Sequence, residues 1–277
     1  LPLVSAGRRR TRGGGGCGLA AAALLLAAAP AHGFGPFGHR VAGLLAARFL
    51  CDGARAQIAR LGDGQGLDSL GLWADRIRSD PRWDKALPWH YMNVGDHEPI
   101  EARSIPREGD VLWAVEHFLD QLADDGLPER VRADALRFAV HFIVDVHQPL
   151  HVGRESDHGG NTIDVRLGST DTNLHKFWDT DVLRLEGVSA ERYARELVPL
   201  ARLHEHEWAA APPLAWAEES QRLRPRVYAL PRGGRLDERY LRGARRIAKK
   251  RLAQAAVRLA ASLNHRYCPM AEGSRPR

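Results

Sequence analysis

Apolar residues recur at helical spacing in several stretches of the chain. Val41, Leu44, Leu45 and Phe49 form one stripe, Leu67, Leu70, Ala74 and Ile77 a second, and Val111, Val115, Phe118, Leu119 and Leu122 a third. The stretch from Val131 to Val146 is apolar on nearly all sides and is closed by Pro149, which predicts a helix buried in the middle of a bundle. Later segments, near Tyr193 to Trp208 and Arg235 to Leu263, are amphipathic with charged outer faces. Strand character is confined to Thr162–Leu167, where Ile163, Val165 and Leu167 alternate with polar residues and Gly168-Ser169-Thr170-Asp171 supplies a turn. The Pro- and Arg-rich stretch from Ala211 to Gly234 reads as a loop. With no internal repeat, the pattern predicts an all-α, mainly helical single domain with at most a small β-hairpin.

Composition refines this picture at the front of the chain. The 277 residues are 44% hydrophobic and 27% charged, enough to bury a substantial core. Arg8, Arg9, Arg10 and Arg12 precede the apolar run Leu19–Ala29, and Ala31-His32-Gly33 resembles a small-residue cleavage site, so residues 1–33 read as a secretory signal and 34–277 as the mature domain. The apolar run is shorter than the roughly 20 residues needed to span a bilayer, which argues against a retained anchor. Cys17 lacks the aliphatic and small residues that should precede a lipidated cysteine. Without this segment the formal charge falls from +6 to +2, because it holds four arginines and no acids. A nearly balanced mature chain gives no evidence of a nucleic-acid-coating surface, so any polyanion specificity must come from a local site. Export, to a periplasm or the medium, would permit Cys51 and Cys268 to pair, and the sequence leaves that open.

The chemistry is concentrated in histidine and aspartate. His141 and Asp145 stand four apart within the most apolar helix, and so project from one face. Buried without a partner, each would cost several kcal/mol, and a cation removes that cost. The pattern repeats at His175 and Asp179, beside Leu174, Phe177 and Trp178. Asp75, His90, His39 and His151 lie in comparable surroundings. A set of imidazole and carboxylate ligands without thiolate suits zinc in a hydrolytic site, where water completes the shell, better than a closed structural site. A single His-x-x-x-Asp is more often a hydrogen-bonded core pair, but the repetition favours metal. His147, two residues beyond Asp145, is expected to hydrogen-bond a metal ligand rather than ligate.

The motifs FGPFGH, WADRIR, HY, HFIVDVHQPLH, GGN and NLHKFWD occur in that order. Together they resemble the zinc-dependent single-strand-specific nucleases, which are related in fold to bacterial zinc phospholipases C. The resemblance implies three zinc ions in a mainly helical fold. One would be held by Asp75, His90, His141 and Asp145, and a second by His151, His175 and Asp179. The third would take His39, Asp145 as a bridging carboxylate, and the amine and carbonyl of Phe34, freed by cleavage after Gly33. Phe34 departs from the tryptophan usual in the family.

The resemblance further implies endonucleolytic hydrolysis of single-stranded DNA and RNA to 5′-phosphate products, with 3′-nucleotidase activity. Asp75 is expected to orient the attacking water or accept its proton, and Arg78, three residues on, to neutralise the phosphate. Asn161 matches a family position that helps to hold the phosphate. Tyr91 could stack on an unpaired base, and Asn93 could hydrogen-bond a base edge. We expect a monomer with no stable membrane association. Two other readings compete: a zinc phospholipase C with nearly the same ligands, and a helical metal-binding protein without catalysis.

Overall fold

The computed structural model describes residues 34–268; the proposed leader lies outside them. Helix α1 (Gly35–Ala46) is followed by α2 (Asp52–Leu61), the short α3 (Leu67–Leu70) and α4 (Trp73–Arg76), and a long 3-10 stretch at Pro81–His90. Helices α5 (Val111–Ala123) and α6 (Glu129–Asp145) pair as a hairpin. Then come α7 (Leu174–Lys176), a π-helical turn at Phe177–Asp181, α8 (Val182–Arg184), α9 (Ala190–Leu203), α10 (Glu205–Ala209), α11 (Pro213–Val227) and α12 (Glu238–Tyr267). Side-chain caps fix several of these starts: Asp110 accepts from the Trp113 amide at 3.0 Å and Asp237 from the Tyr240 amide at 2.8 Å. No helix among the described residues is long and apolar enough to cross a membrane.

The nearly all-apolar helix is central, as its pattern predicts. Helix α6 is packed by α1, α2, α3, α4, α5 and α12, and every residue from Phe138 to Asp145 is buried. Its polar groups are therefore cut off from water. A row of rings backs it: Phe118 stacks on Phe138 at 4.5 Å between centroids, and Phe142 lies 5.1 Å from the His90 ring.

Strand structure is sparse. The predicted hairpin is present as β3 (Asp164–Leu167) against β4 (Thr170–Asn173), antiparallel, with Leu167 opposite Thr170. Thr170 and Asp171 belong to the second strand rather than to the turn, which is only Gly168-Ser169. A second pair, β1 (Met92–Asn93) parallel to β2 (Val152–Gly153), is too short for a sequence pattern to reveal.

Two expectations need correction. The stripe Leu67–Ile77 is not one helix, because the chain breaks at Gly71 and Leu72 between α3 and α4. The supposed loop 211–234 contains the fifteen-residue helix α11. Pro213 stands in its first turn, where a missing N–H costs nothing, whereas Pro225 lies inside the last turn, where it removes one helical hydrogen bond and the helix ends two residues later. This helix inserts the buried Arg224, whose guanidinium donates to the carbonyls of Val94, Gly95, Val152 and Gly153 and so gathers the ends of β1 and β2.

A disulfide joins Cys51, at the start of α2, to Cys268, at the end of α12. Asn264 reinforces the same junction, accepting from the Cys51 amide at 2.9 Å and donating to the Phe49 carbonyl at 2.7 Å.

Candidate metal centre

Three groups of side chains offer ligating atoms that lie within 4.8 Å of one another: His39, His141 and Asp145; Asp75, His90 and His141; and His151, His175 and Asp179. They come from six separate parts of the chain. Helix α1 supplies His39, α4 supplies Asp75, the end of the 3-10 stretch supplies His90, and α6 supplies His141 and Asp145. The turn Pro149–His151 and the α7–π segment supply the rest.

Asp145 lies at the junction. Its Oδ1 is 3.2 Å from His39 Nε2, while its Oδ2 is 3.2 Å from His90 Nδ1 and 3.1 Å from His141 Nε2. The two oxygens thus face different imidazoles, as a bridging carboxylate requires. In the other group His175 Nε2 lies 3.1 Å from Asp179 Oδ2, and His151 Nε2 lies 3.7 Å from Asp179 Oδ1. The π-helical turn that carries Asp179 is a feature met most often at functional sites.

Whether these residues fit a cation is tested by their unmet bonding. Nε2 of His39, His151 and His175, Oδ2 of Asp75 and Oδ1 of Asp145 are buried and make no hydrogen bond. At 3.2 Å His39 and Asp145 are in ionic contact but not aligned for one. In three histidines Nδ1 is held: His141 Nδ1 donates to the Gly71 carbonyl, His175 Nδ1 to the Gly159 carbonyl, both at 2.7 Å, and His151 Nδ1 to the His90 carbonyl, whereas neither ring nitrogen of His39 makes a hydrogen bond. Such bonds place the proton on Nδ1 and turn the bare Nε2 inward, the arrangement that orients metal-binding histidines. Buried lone pairs aimed at common points and left without donors are costly unless a cation meets them. The residues fit.

Electrostatics agree. Burial by itself pushes the Asp145 carboxyl up, but His141 and His151 outweigh it and hold the group well below the carboxylate range. Asp75 and Asp179 are lowered in the same way, against burial, by His141, His39 and His90 and by His175 and His151 respectively. Among the imidazoles, burial pulls His90 down to about 4, whereas Asp145 and Asp75 overcome burial at His141 and raise it to about 9. The carboxylates stay ionised and favour a second proton on His141 and His151, which a divalent cation would displace.

A family model described as S1/P1 Nuclease matches residues 34–267. The chain belongs to the S1/P1 nuclease family. Endonuclease 2 of Arabidopsis thaliana is 32% identical over 271 residues, which cover 86% of this chain and 92% of the relative. Endonuclease 4 of the same plant is 31% identical over 232 residues, 72% of this chain and 76% of its own. Nuclease S1 of Aspergillus oryzae is 30% identical over 160 residues, 54% and 55% of the two chains. This member of the family is therefore an enzyme, a hydrolase of phosphodiester bonds.

Around the metal groups the other expected residues of this nuclease fall as follows. Arg78 Nη1 is 3.5 Å from Asp75 Oδ1, so the guanidinium and the carboxylate adjoin. Tyr91 is 39% exposed and Asn93 is exposed too, on either side of the buried Met92. Asn161, partly exposed, donates to the His158 carbonyl at 2.7 Å. Phe34 is fully buried, and its carbonyl accepts from the Gly38 amide at 2.9 Å. Gly35, at φ +55°, brings this end of the chain so close to Asp179 that an added Cβ would lie 3.0 Å from the Asp179 carbonyl oxygen.

His147 does not behave as expected. It touches no metal ligand: its Nδ1 donates to the Ile143 carbonyl at 2.6 Å and its Nε2 accepts from Arg258 Nη1 at 2.9 Å. Two residues of helix turn it about 200° away from the Asp145 face. Gln148, unassigned from sequence, does what His147 was expected to do. Its Nε2 donates to Asp179 Oδ1 and its Oε1 accepts from the Leu150 amide, both at 2.6 Å. A buried glutamine between two histidines of one motif was the available signal. The carbonyls of Gly71 and Gly159 gave none.

Proposed function

We propose that the mature domain, residues 34–277, is a secreted or periplasmic endonuclease that hydrolyses single-stranded DNA and RNA to 5′-phosphate ends and also removes 3′-phosphates from nucleotides. The observation that carries this reading is the convergence of buried, unbonded imidazole nitrogens and carboxylate oxygens on three groups. Three zinc ions would be held by Asp75, His90, His141 and Asp145; by His151, His175 and Asp179; and by His39, Asp145 and the Phe34 backbone. Bound zinc supplies Lewis acidity toward the phosphoryl oxygens and brings the pKa of its water to about 7.

The chain's own residues would do the remaining work. Asp75 would orient the attacking water or take its proton, a role that its buried, unbonded Oδ2 supports. Arg78, beside it, offers the planar fork that matches phosphate oxygens. Asn161 helps to hold the phosphate. Tyr91 stacks on a base that only a single strand exposes, and Asn93 contacts its edge. The ring wall of Phe118, Phe138 and Phe142 keeps water from the back of the centre and strengthens every charge interaction within it. Kinship with nucleases favours this reading over a phospholipase C or an inert metal carrier.

The deciding experiment measures metal per chain on protein secreted with its own leader. Cleavage of single-stranded DNA, duplex DNA and phosphatidylcholine is then compared before and after chelation. Near three zincs, with chelator-sensitive cleavage of the single strand alone, is the expected outcome. Hydrolysis of the lipid instead would replace this reading.

A further inference from the structure

Charge is distributed unevenly along the chain. Residues 222–251 hold twelve Lys and Arg against only Asp237 and Glu238, a formal excess of ten, although the whole chain carries +6. Part of this excess has structural work. Arg224 and Arg251 are buried on backbone carbonyls and acidic partners, and Arg242, Arg245 and Lys249 have carboxylates within 4.0 Å. Arg226, Arg232, Arg239, Arg246 and Lys250 are exposed and have no ion pair among the described residues.

Several of these cations line one groove. Between the end of α11 and the first turns of α12 lies a cleft of about 800 Å³ bordered by Arg226, Arg239, Arg242 and Arg246, with Tyr240 and Ile247 between them. Residues 239, 242 and 246 stand three and four apart on one face, where like charges disfavour the helix. They extend over about 10 Å of axis, room for more than one phosphate. Such a face is stabilised by a polyanion.

Pro231 and the acidic Asp237, the two ends of segment 231–237, line this groove as well, and within that segment the Leu236 amide donates to the Arg166 carbonyl of β3 at 2.9 Å. A second groove, which Gly233 of that segment also lines, is bordered by Asn161, Asp164, Arg166, Asp171 and Lys176, with Arg166 paired to Asp171. Lys176 directly follows His175.

Resting on the nuclease reading, we propose that Arg226, Arg239, Arg242 and Arg246 form a track for the backbone of a single-stranded polynucleotide, holding phosphates beyond those at the metal centre. The contacts are ionic and blind to sequence, and they act on polymers but not on short substrates.

The test is the triple variant Arg226→Gln, Arg239→Gln, Arg246→Gln, compared with the parent as the metal-loaded, secreted protein. On long oligodeoxythymidylate, KM should rise about tenfold, and the slope of log KM against log salt should fall by about two, near 0.7 for each lost contact. kcat/KM for a dinucleotide and metal content should not change. An unaltered polymer KM and salt slope would overturn the track. A parent that cleaves no nucleic acid would sink the nuclease reading separately; the track is then read from fluorescence anisotropy of the same uncleaved oligonucleotide, and equal binding by parent and variant refutes it. Loss of binding to phosphatidylglycerol vesicles, with oligonucleotide binding intact, would overturn it in favour of an anionic lipid surface.

Discussion

His39 Nε2 lies 3.2 Å from Oδ1 of Asp145, and the second oxygen of that same carboxylate faces His90 and His141. One carboxylate thus faces the imidazoles of both zinc sites proposed around it, and on that reading it cannot be changed without loosening both. Asp145→Asn preserves shape but removes the charge and turns an amide N–H₂ toward an imidazole. We expect the purified variant to lose about two of three metals and at least about a thousandfold in activity, since several kcal/mol of charge stabilisation goes with them. Metal analysis alone checks this: full occupancy in folded Asp145→Asn protein refutes the bridging role.

Tyr91 borders the centre without entering it. Its ring is 39% exposed, and its backbone carbonyl is engaged by the Val111 amide at 3.2 Å, so truncating the ring leaves the strand in place. Stacking on one base is worth about 1–3 kcal/mol. Tyr91→Ala should therefore raise KM for single-stranded DNA roughly fivefold to a hundredfold, with metal content and thermal stability unchanged. Unchanged KM would move base recognition elsewhere.

What the sequence made legible was what burial dictates locally. His141 and Asp145 in an otherwise apolar helix, and the repeat at His175 and Asp179, announced ligand pairs because charged groups do not sit in a core unpaired. The central place of α6 followed from its apolar circumference. What depended on distant partners was not legible. Nothing local showed that Gly71 and Gly159 carbonyls would hold imidazoles, or that the break after α3 would present one of them. Helix α11 was hidden by prolines that stand where a helix tolerates them. His147 was misjudged because its partner, Arg258, lies 111 residues away.

Phe34 gives a prediction about processing. While residue 33 is attached, the Phe34 nitrogen is an amide and a poor ligand, and its carbonyl already accepts a helical hydrogen bond from Gly38. Cleavage would convert that nitrogen into an amine. A form whose leader is made uncleavable should bind one metal fewer than the mature chain and lose most of its activity, while melting with the same cooperativity. Equal metal content in both forms would remove Phe34 from the ligand set.

Glu219 governs a second buried cluster, built between α11 and α12. It accepts from Arg258 at 2.7 and 2.8 Å, from Gln254 at 3.1 Å and from Arg251, while Arg258 also reaches His147. Burial pushes the Glu219 carboxyl up, but the hydrogen bonds and charges of Arg258 and Arg251 outweigh that and leave it below its ordinary value of 4.5. A folded-state value below the unfolded one adds stability above about pH 4.5, and that stability is lost as pH falls through the folded value. Glu219→Gln strands two buried guanidiniums. Because the Glu219 side chain is 27% exposed, we expect about 2–3 kcal/mol at pH 7, below the range for a fully buried pair. For a domain of this size that lowers Tm by roughly 5–10 °C. The gap between parent and variant should narrow as the pH falls below 4.5 toward the carboxyl's folded-state value, since protonation discharges the parent's carboxyl as well. Melts at pH 7 and pH 3.5 measure both effects, and metal content at pH 7 should be equal. Matching Tm values at pH 7 would mean that the Arg251 and Arg258 charges are balanced by the backbone carbonyls of His147, Trp208 and Trp216 instead.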